Sequence, residues 1–332
     1  MDNSRTLARH CTDGVCHCDW RITITNCEEA TAMWYVNLVN IILSGFVIIL
    51  GCALMFHRTV NQGHRLWDNA KRKGCFRPKP VDMMLLLVTI YNCLRLVSSV
   101  ILMADISPDN IIARSFLFEF PWQFGYGGIA MYLVGIAQTL SESQKVAGWL
   151  PSPRTVDLVG CWFFFWPFVI DNICSLISGA LATSDLEKAE IFAHLLYGFW
   201  FLHCSTLGCA VLFAGIRLVY ILRGHLEKFS QTHARYKALY AGIFKIQIIV
   251  TILVICLWGF AALLLLYSIL RDQIMTSTVG SVIFGTIWAY LGVLSAIFVE
   301  IAIVVKQVLT FGDISYIVLT SLTALACLGT SP

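Results

Sequence analysis

The sequence is poor in charged residues, and this scarcity limits the kind of protein it can encode. Only 13% of its 332 residues are Asp, Glu, Lys or Arg, whereas 58% are hydrophobic. Soluble globular domains carry about 25% charged residues. The composition therefore excludes a nucleic-acid binder, a disordered chain and a cytosolic α/β enzyme. The net charge of +3 is too small to indicate a partner by itself.

The sequence also lacks the motifs of common membrane enzymes and channels. It contains no H-E-x-x-H zinc motif, no G-x-S-x-G nucleophile elbow and no TVGYG-type filter. Its apolar segments hold two histidines, His194 and His203, too few for two haems or for the zinc site of a seven-pass hydrolase. Lys306 comes too late in the last segment for a retinal Schiff base. We therefore expect no enzymatic activity, no cofactor and no metal site.

Seven apolar segments are each long enough to cross a bilayer as a helix. They cover residues 33–56, 81–103, 117–140, 157–181, 191–222, 246–269 and 277–305. A crossing takes about 20 mostly apolar residues, because every backbone polar group must be satisfied within its own helix. The sequence thus predicts an all-α polytopic membrane protein. A seven-transmembrane-helix bundle over 33–305 lies between a Cys-rich tail over 1–32 and a C-terminal tail over 306–332.

The distribution of Lys and Arg predicts the orientation of these helices. The side with loops 57–80, 141–156 and 223–245 and the residues after 305 holds 15 of the 23 basic residues, against six on the other side. Cytoplasmic loops carry this excess. We expect the N-terminus outside and the C-terminus in the cytoplasm, in the plasma membrane or an endomembrane of the secretory pathway. The apolar stretch 314–328 is interpreted as a surface-lying tail, with a short eighth span as the alternative.

Four cysteines lie close together in the N-terminal tail: Cys11, Cys16, Cys18 and Cys27. In an oxidising compartment such thiols pair, and four cysteines allow three connectivities. The alternative, a metal site on Cys16-His17-Cys18, lacks zinc-finger spacing. We expect disulfides that make the tail a cap over the outer mouth of the bundle. Such a cap would suit a receptor, and it would equally suit protection from proteolysis.

Several polar side chains lie inside the predicted spans, where a charged group costs about 2.5–3.5 kcal/mol on insertion scales. Arg95 in the second span and Asp171 in the fourth lie at nearly the same depth, so they could form an ion pair. Such a pair would either hold helices in register or line an outward polar cavity. The candidate ligand-binding cluster comprises Arg95, Asp171, Asn92, Asn172, Glu119 and His203.

Basic residues dominate the predicted cytoplasmic face. The first inner loop contains Lys71, Arg72 and Lys73. Near a membrane, each basic residue attracts anionic lipid by about 1 kcal/mol, and the same charge could dock an acidic protein. Arg217 and Glu300 lie near the inner boundary, where long side chains extend to the interface. We interpret both as interfacial anchors, with a lock between inner helix ends as the alternative.

Seven passes, an outside N-terminus and a basic inner face resemble the G-protein-coupled receptor architecture. The rhodopsin-class motifs are missing, since A-Q-T-L at 137–140 ends the third span without D-R-Y and no N-P-x-x-Y closes the seventh. The sequence C-L-W-G at 256–259 is similar to the C-W-x-P motif only in part. The resemblance implies signal transduction across the membrane.

A second resemblance is to the tobamovirus-multiplication family of seven-pass proteins. It rests on L-R-L-V at 94–97 in the second span and on F-E-F-P at 118–121, which opens an aromatic third span. This resemblance implies a small-GTPase-linked scaffold in endomembranes.

Together these features predict a receptor-like membrane protein. Its expected partners are the lipid bilayer, an extracytoplasmic ligand, and an acidic cytoplasmic protein or anionic lipid, with no nucleic acid. A seven-pass scaffold that recruits cytoplasmic proteins is the first alternative, and a small-solute transporter is the second.

The predicted orientation can be tested by protease protection in sealed right-side-out vesicles. An epitope placed in residues 1–32 should be digested without detergent, whereas one placed beside Lys73 should be digested only after permeabilisation. Protection of the N-terminal epitope would reverse both faces of the protein.

Overall fold

The computed structural model describes residues 4–12, 14–63, 79–142, 153–227 and 234–309. This part of the chain folds into seven long helices. They are α1 (Ala30–Phe56), α2 (Pro80–Met103), α3 (Ile111–Glu142), α4 (Pro153–Leu181), α5 (Leu186–Leu226), α6 (Ala234–Met275) and α7 (Thr278–Leu309). A π-helical turn, His57–Asn61, extends α1. Each helix contains one predicted span, so the predicted helix count is confirmed.

The helices pack in chain order around a closed ring. Each contacts the next, and α1 also packs against α7. In addition, α3 contacts α5, which places it nearer the centre than its neighbours. Eleven consecutive residues of α3, 126–136, are all buried. A helix that is buried on every side has protein, not lipid, as its surroundings.

The other six helices are long and apolar enough to cross a membrane. Their outward faces carry exposed apolar side chains, among them Ile49, Leu158, Phe213, Ile269 and Val279. Soluble proteins rarely expose large contiguous apolar patches, because such surface is costly in water. The bundle is therefore that of a multi-pass integral membrane protein, with these faces turned to the lipid.

The N-terminal tail, for which no helix is predicted, forms short strands beside the all-α bundle. It forms an antiparallel sheet of β1 (Ser4–Arg5), β2 (Arg9–Thr12) and β3 (Val15–Cys18), in the order β1-β2-β3. Gly14, in the β2–β3 turn, has a φ of +82°, which glycine adopts without steric cost. We call residues 4–12 and 14–29 the N-terminal cap.

Two disulfides cross-link the cap. Cys11 pairs with Cys16 across the β2–β3 hairpin, and Cys18 pairs with Cys27. The second bond closes a loop that contains Asp19, Trp20 and Arg21. Of the three connectivities that four cysteines allow, the structure has Cys11–Cys16 with Cys18–Cys27.

Close helix contacts depend on glycine at particular positions. In α4, a Cβ added at Gly179 would lie 2.8 Å from the backbone Cα of Ile112 in α3. Backbone atoms of a helix cannot yield as a flexible side chain can, so the two helices would have to separate. At Gly45 in α1, an added Cβ meets nothing within 4 Å.

Gly179→Ala should therefore destabilise the bundle, by about 1–3 kcal/mol, the usual cost of overpacking. The matched variant Gly45→Ala should leave stability unchanged or raise it slightly, because alanine favours helix. Thermal unfolding of both variants in the same detergent measures the difference. Equal midpoints would show that α3 and α4 are not packed this closely.

Candidate functional site between the cap and the helices

The cap inserts an aromatic side chain into one end of the bundle, which we call the cap end. Trp20 is 4% exposed. Its ring centroid lies 5.7 Å from Phe118 on α3, 6.1 Å from Tyr267 on α6 and 5.4 Å from Trp288 on α7, all edge-on. Such pairs contribute about 0.5–1.5 kcal/mol each beyond their buried area. Trp20 thus joins three helices through the cap.

The next residue, Arg21, connects the cap to buried polar groups of α5 and α6. Its Nε donates to Asp19 Oδ1 and to the Tyr267 hydroxyl, both at 2.9 Å. Its Nη1 donates to the Tyr197 hydroxyl. The guanidinium lies over both tyrosine rings, 4.7 and 4.8 Å from their centroids. Each cation–π contact adds to the hydrogen bonds, because the site is desolvated.

Tyr197 extends this network to the third helix. Its hydroxyl donates to Glu119 Oε1 on α3, and Arg21 Nη1 lies 3.7 Å from the same oxygen. Glu119 is 1% exposed. A buried carboxylate is tolerated when it is paired and hydrogen-bonded, and here a cap residue supplies the positive charge.

Arg271 of α6 completes the pairing of Asp19. Its Nη2 donates to Asp19 Oδ2 at 3.0 Å and to the Leu7 carbonyl at 2.7 Å. The helical backbone is interrupted at the preceding residue, Leu270, with φ −111° and ψ 17°. Asp19 therefore lies between two guanidinium groups, one from the cap and one from the bundle.

Further ion pairs and hydrogen bonds fix the edges of the cap. Arg5, which is half-exposed, contacts Glu190 and Asp272 at 2.8 Å each. On the other side, Arg114 of α3 donates to the Ile22 carbonyl at 3.0 Å and to Asp105 at 2.6 Å. The cap is thus bonded to α3, α5 and α6 by charged groups in its interior and at its rim.

The charge state of Asp19 follows from its surroundings. Burial raises its pKa, but Arg21 and Arg271 lower it by more, so the pKa lies below the ordinary value of 3.8. Asp19 is consequently ionised at neutral pH. The docked cap depends on that negative charge, because Arg21 and Arg271 are both buried and both pair with the Asp19 carboxylate.

Two of the six residues in the predicted ligand cluster lie near this network. Glu119 belongs to it, and Arg95 of α2 lies over the rings of Phe118 and Trp122, 4.9 and 5.0 Å from their centroids. The expected ion pair between Arg95 and Asp171 is not formed. Similar depth in the membrane does not bring the two side chains into contact, because α3 packs between α2 and α4 and separates these helices.

The remaining four residues lie elsewhere in the bundle. Asp171 of α4 has His203 of α5 as its ionisable neighbour, with 3.8 Å between Oδ1 and Nε2. Asn172 donates to Gln123 Oε1 at 3.0 Å and to the Phe168 carbonyl at 2.7 Å. Asn92 donates to the Val88 carbonyl in its own helix. The outward polar cluster therefore stays a prediction.

The residues predicted for the cytoplasmic face lie in different surroundings. Glu300 of α7 is 1% exposed and faces Gly51 and Thr89, so its interpretation as an interfacial anchor was wrong. Arg217 is half-buried on α5. Lys71, Arg72 and Lys73, like the stretch 314–328, lie outside the residues that the structure describes.

A cavity of about 90 Å³ lies beneath the cap, among α2, α3, α5, α6 and α7. Two of its lining residues, Glu119 and Trp288, also contact Arg21 and Trp20 of the cap. Its other walls are mostly apolar and aromatic, including Tyr91, Trp122 and Phe260. Within the described ranges, no group of three or more His, Cys, Asp or Glu side chains could hold a metal ion.

Sequence reasoning missed most of this site. Asp19, Trp20 and Arg21 were treated only as part of a cross-linked tail, and Tyr197, Tyr267 and Arg271 were not singled out. One signal was available, since a tryptophan flanked by opposite charges lies between two cysteines, Cys18 and Cys27.

Removing the Asp19 charge should loosen the cap. A group whose pKa is lowered by folding stabilises the fold above its unfolded value, and this contribution is lost as pH falls through the folded value. Acidification below about pH 4 should therefore increase hydrogen exchange in residues 14–29, after correction for intrinsic rates. Burial raises the pKa of Asp105, but hydrogen bonds from Arg114 and Thr25 lower it by more, so Asp105 adds a change of the same sign.

Asp19→Asn should loosen the cap at neutral pH. The free energy that holds the cap in place should fall by about 3–5 kcal/mol, as expected when one partner of a buried ion pair is removed. Asp185→Asn is the matched control, because Asp185 pairs with Lys188 at the start of α5 and contacts neither Arg21 nor Arg271. Equal protection in both variants would contradict the role assigned to Asp19.

Comparison with known proteins identifies no family for this chain. No protein-family model, no curated protein and no solved structure matches it. The resemblances to G-protein-coupled receptors and to the tobamovirus-multiplication family therefore gain no support. What the fold and its surface establish is a multi-pass helical integral membrane protein.

Proposed function

We propose that this protein is a receptor-like transducer in which the position of the N-terminal cap determines the arrangement of α3, α5 and α6. One observation carries the proposal. The side chain of Arg21 bonds to Tyr197 on α5 and Tyr267 on α6, and through Tyr197 it reaches Glu119 on α3. A single cap residue is thus shared by three helices, and the proposed role requires no catalysis.

Displacement of the cap would change the electrostatics of the bundle. Asp19 and Arg21 would leave together, and Glu119 and Arg271 would each lose a partner of opposite charge. Arg271 would keep only the more distant Glu190 and Asp272, at 3.8 and 3.5 Å, and Glu119 would lose the guanidinium beside it. A buried charge that loses a partner is strongly unfavourable. The helices would relieve this cost by moving until both groups find water or new partners. The cap therefore favours one helix arrangement over another, which is the requirement for a two-state switch.

The lengths of α5 and α6 allow such a change to reach the opposite end. These helices contain 41 and 42 residues. At 1.5 Å per residue, each is about 60 Å long, roughly twice the hydrocarbon thickness of a bilayer. Their far ends border residues 228–233 and belong to the stretch 223–245, whose basic composition predicts the cytoplasmic side. An acidic protein or anionic lipid is the proposed partner there.

The test compares two arginines of the cap. Arg21→Met removes the buried charge but keeps a long apolar side chain, whereas Arg5→Met removes only rim ion pairs. Labels at Phe56 of α1 and Tyr240 of α6, both exposed positions far from the cap, report the distance between the opposite ends of the helices. We expect Arg21→Met to shift or broaden this distance distribution and Arg5→Met to leave it unchanged.

Thermal unfolding of the same samples establishes that each variant is folded. If Arg21→Met remains folded and gives the wild-type distances, the cap does not control the helix arrangement. That result would leave the scaffold, in which the cap only protects and stabilises the bundle, as the better description.

A further inference from the structure

We propose that the cavity beneath the cap binds a small, uncharged, largely apolar molecule that carries one hydroxyl group, such as a simple phenol or a short-chain alcohol. The inference concerns a binding site next to the cap interface, with which it shares Glu119 and Trp288, and it does not require the proposed switching role. It rests on the walls of the cavity and on four buried polar atoms of its lining residues.

The walls select an apolar body. Apart from Glu119, the cavity is enclosed by residues such as Met84, Trp122, Leu257, Phe260 and Trp288. Its volume of about 90 Å³ is smaller than the ~150 Å³ engineered apolar cavity that binds benzene. The ligand is therefore limited to about one ring or a short chain. Binding sites for small molecules typically combine such walls with a few convergent polar groups.

Four polar atoms among the lining residues select the hydroxyl group. They are Glu119 Oε2 and the indole Nε1 atoms of Trp122, Trp200 and Trp288, all of them buried. The Trp200 indole interacts with the Glu119 carboxylate, whereas the indole N–H groups of Trp122 and Trp288 have no hydrogen-bond partner within the described chain. More than 90% of buried polar groups in folded proteins are paired, so an exception calls for a missing partner. A hydroxyl can donate to the carboxylate oxygen and accept from an indole N–H at the same time. An anion would be repelled by Glu119. A cation would be repelled by two guanidinium groups already in place, Arg21 beside Glu119 and Arg95 over the Trp122 ring.

Water is the main competing occupant. At about 30 Å³ per molecule, the cavity would hold roughly three waters, each of which needs two to four polar partners. The four polar atoms offer few partners for that many waters, and the remaining walls offer mainly carbon. Cavities of this kind tend to stay dry or to bind an apolar molecule.

The route of entry agrees with an apolar ligand. Trp20 and Arg21 contact the lining residues Trp288 and Glu119, so the cap covers the cavity at the cap end. A neutral apolar molecule can dissolve in the bilayer and approach between the helices. A charged solute from the aqueous phase would have to displace the cap first.

The experiment measures binding of phenol and benzene to the purified full-length protein in nanodiscs, by tryptophan fluorescence and by the shift in thermal unfolding midpoint. Phenol should bind at least about tenfold more tightly than benzene, as expected for a hydrogen bond to a charged group. In Glu119→Gln this preference should fall by about tenfold. Glu300→Gln, which makes the same change at a buried carboxylate that does not line the cavity, should keep it.

A second variant separates occupancy of the cavity from effects on the cap. Ala296 lines the cavity on α7, two turns beyond Trp288, so Ala296→Leu reduces the volume while leaving Glu119 intact. It should abolish phenol binding, with residues 14–29 still protected from hydrogen exchange. Phenol binding that survives Ala296→Leu, or equal affinities for phenol and benzene in the wild type, would overturn the proposal. Neither result would bear on the cap's control of helix arrangement, which the Arg21→Met distances test separately.

Discussion

Pairing of buried charge is the constraint on which this structure depends. Asp19 has no exposed surface and lies between Arg21 and Arg271, while Glu119 lies beside Arg21 at the centre of the same network. None of these groups would be stable alone in a membrane-embedded bundle, because an unpaired ion there retains little of its solvation. The helices supply Arg271 and Glu119, and the cap supplies Asp19 and Arg21. The cap therefore supplies the charges that pair with Arg271 and Glu119 of the bundle. This pairing explains why part of the N-terminal tail is so deeply buried.

The disulfides reduce the conformational entropy that the cap loses when it docks onto the helices. The bond between Cys18 and Cys27 closes the loop that carries Asp19, Trp20 and Arg21, and a cross-link restricts the conformations of the undocked chain. A preorganised segment loses less entropy on docking than a free tail would. Trp20 then adds contacts with three helices, and Arg5 fixes the rim at Glu190 and Asp272. The cap behaves as a compact intramolecular ligand, with an apolar anchor next to a charged one.

The sequence predicted the features that lipid imposes and missed those that depend on packing. Runs of apolar residues revealed all seven helices, because a chain in hydrocarbon must satisfy its backbone within each helix. Depth along a helix could also be read from the sequence, but not the direction of a side chain around it. Arg95 and Asp171 were paired by depth alone, although α3 lies between their helices. Glu300 was placed at an interface because it lies near the end of a span, whereas it faces Gly51 and Thr89. The short strands of the cap gave no periodic signal, since β2 and β3 have four residues each.

Glu119 takes part in both proposals, the control of the helix arrangement by the cap and the binding of a small molecule in the cavity. Its Oε1 accepts from Tyr197, which is bonded to Arg21 of the cap, and Glu119 is also one of the residues that line the cavity. A hydroxyl bound at Oε2 would draw negative charge away from Oε1 and weaken the contact with Arg21. By linkage, any effect of the occupant on cap docking must equal the effect of cap docking on the affinity for the occupant. A molecule dissolved in the bilayer could thereby influence a structure on the membrane surface, without contacting any residue of the cap.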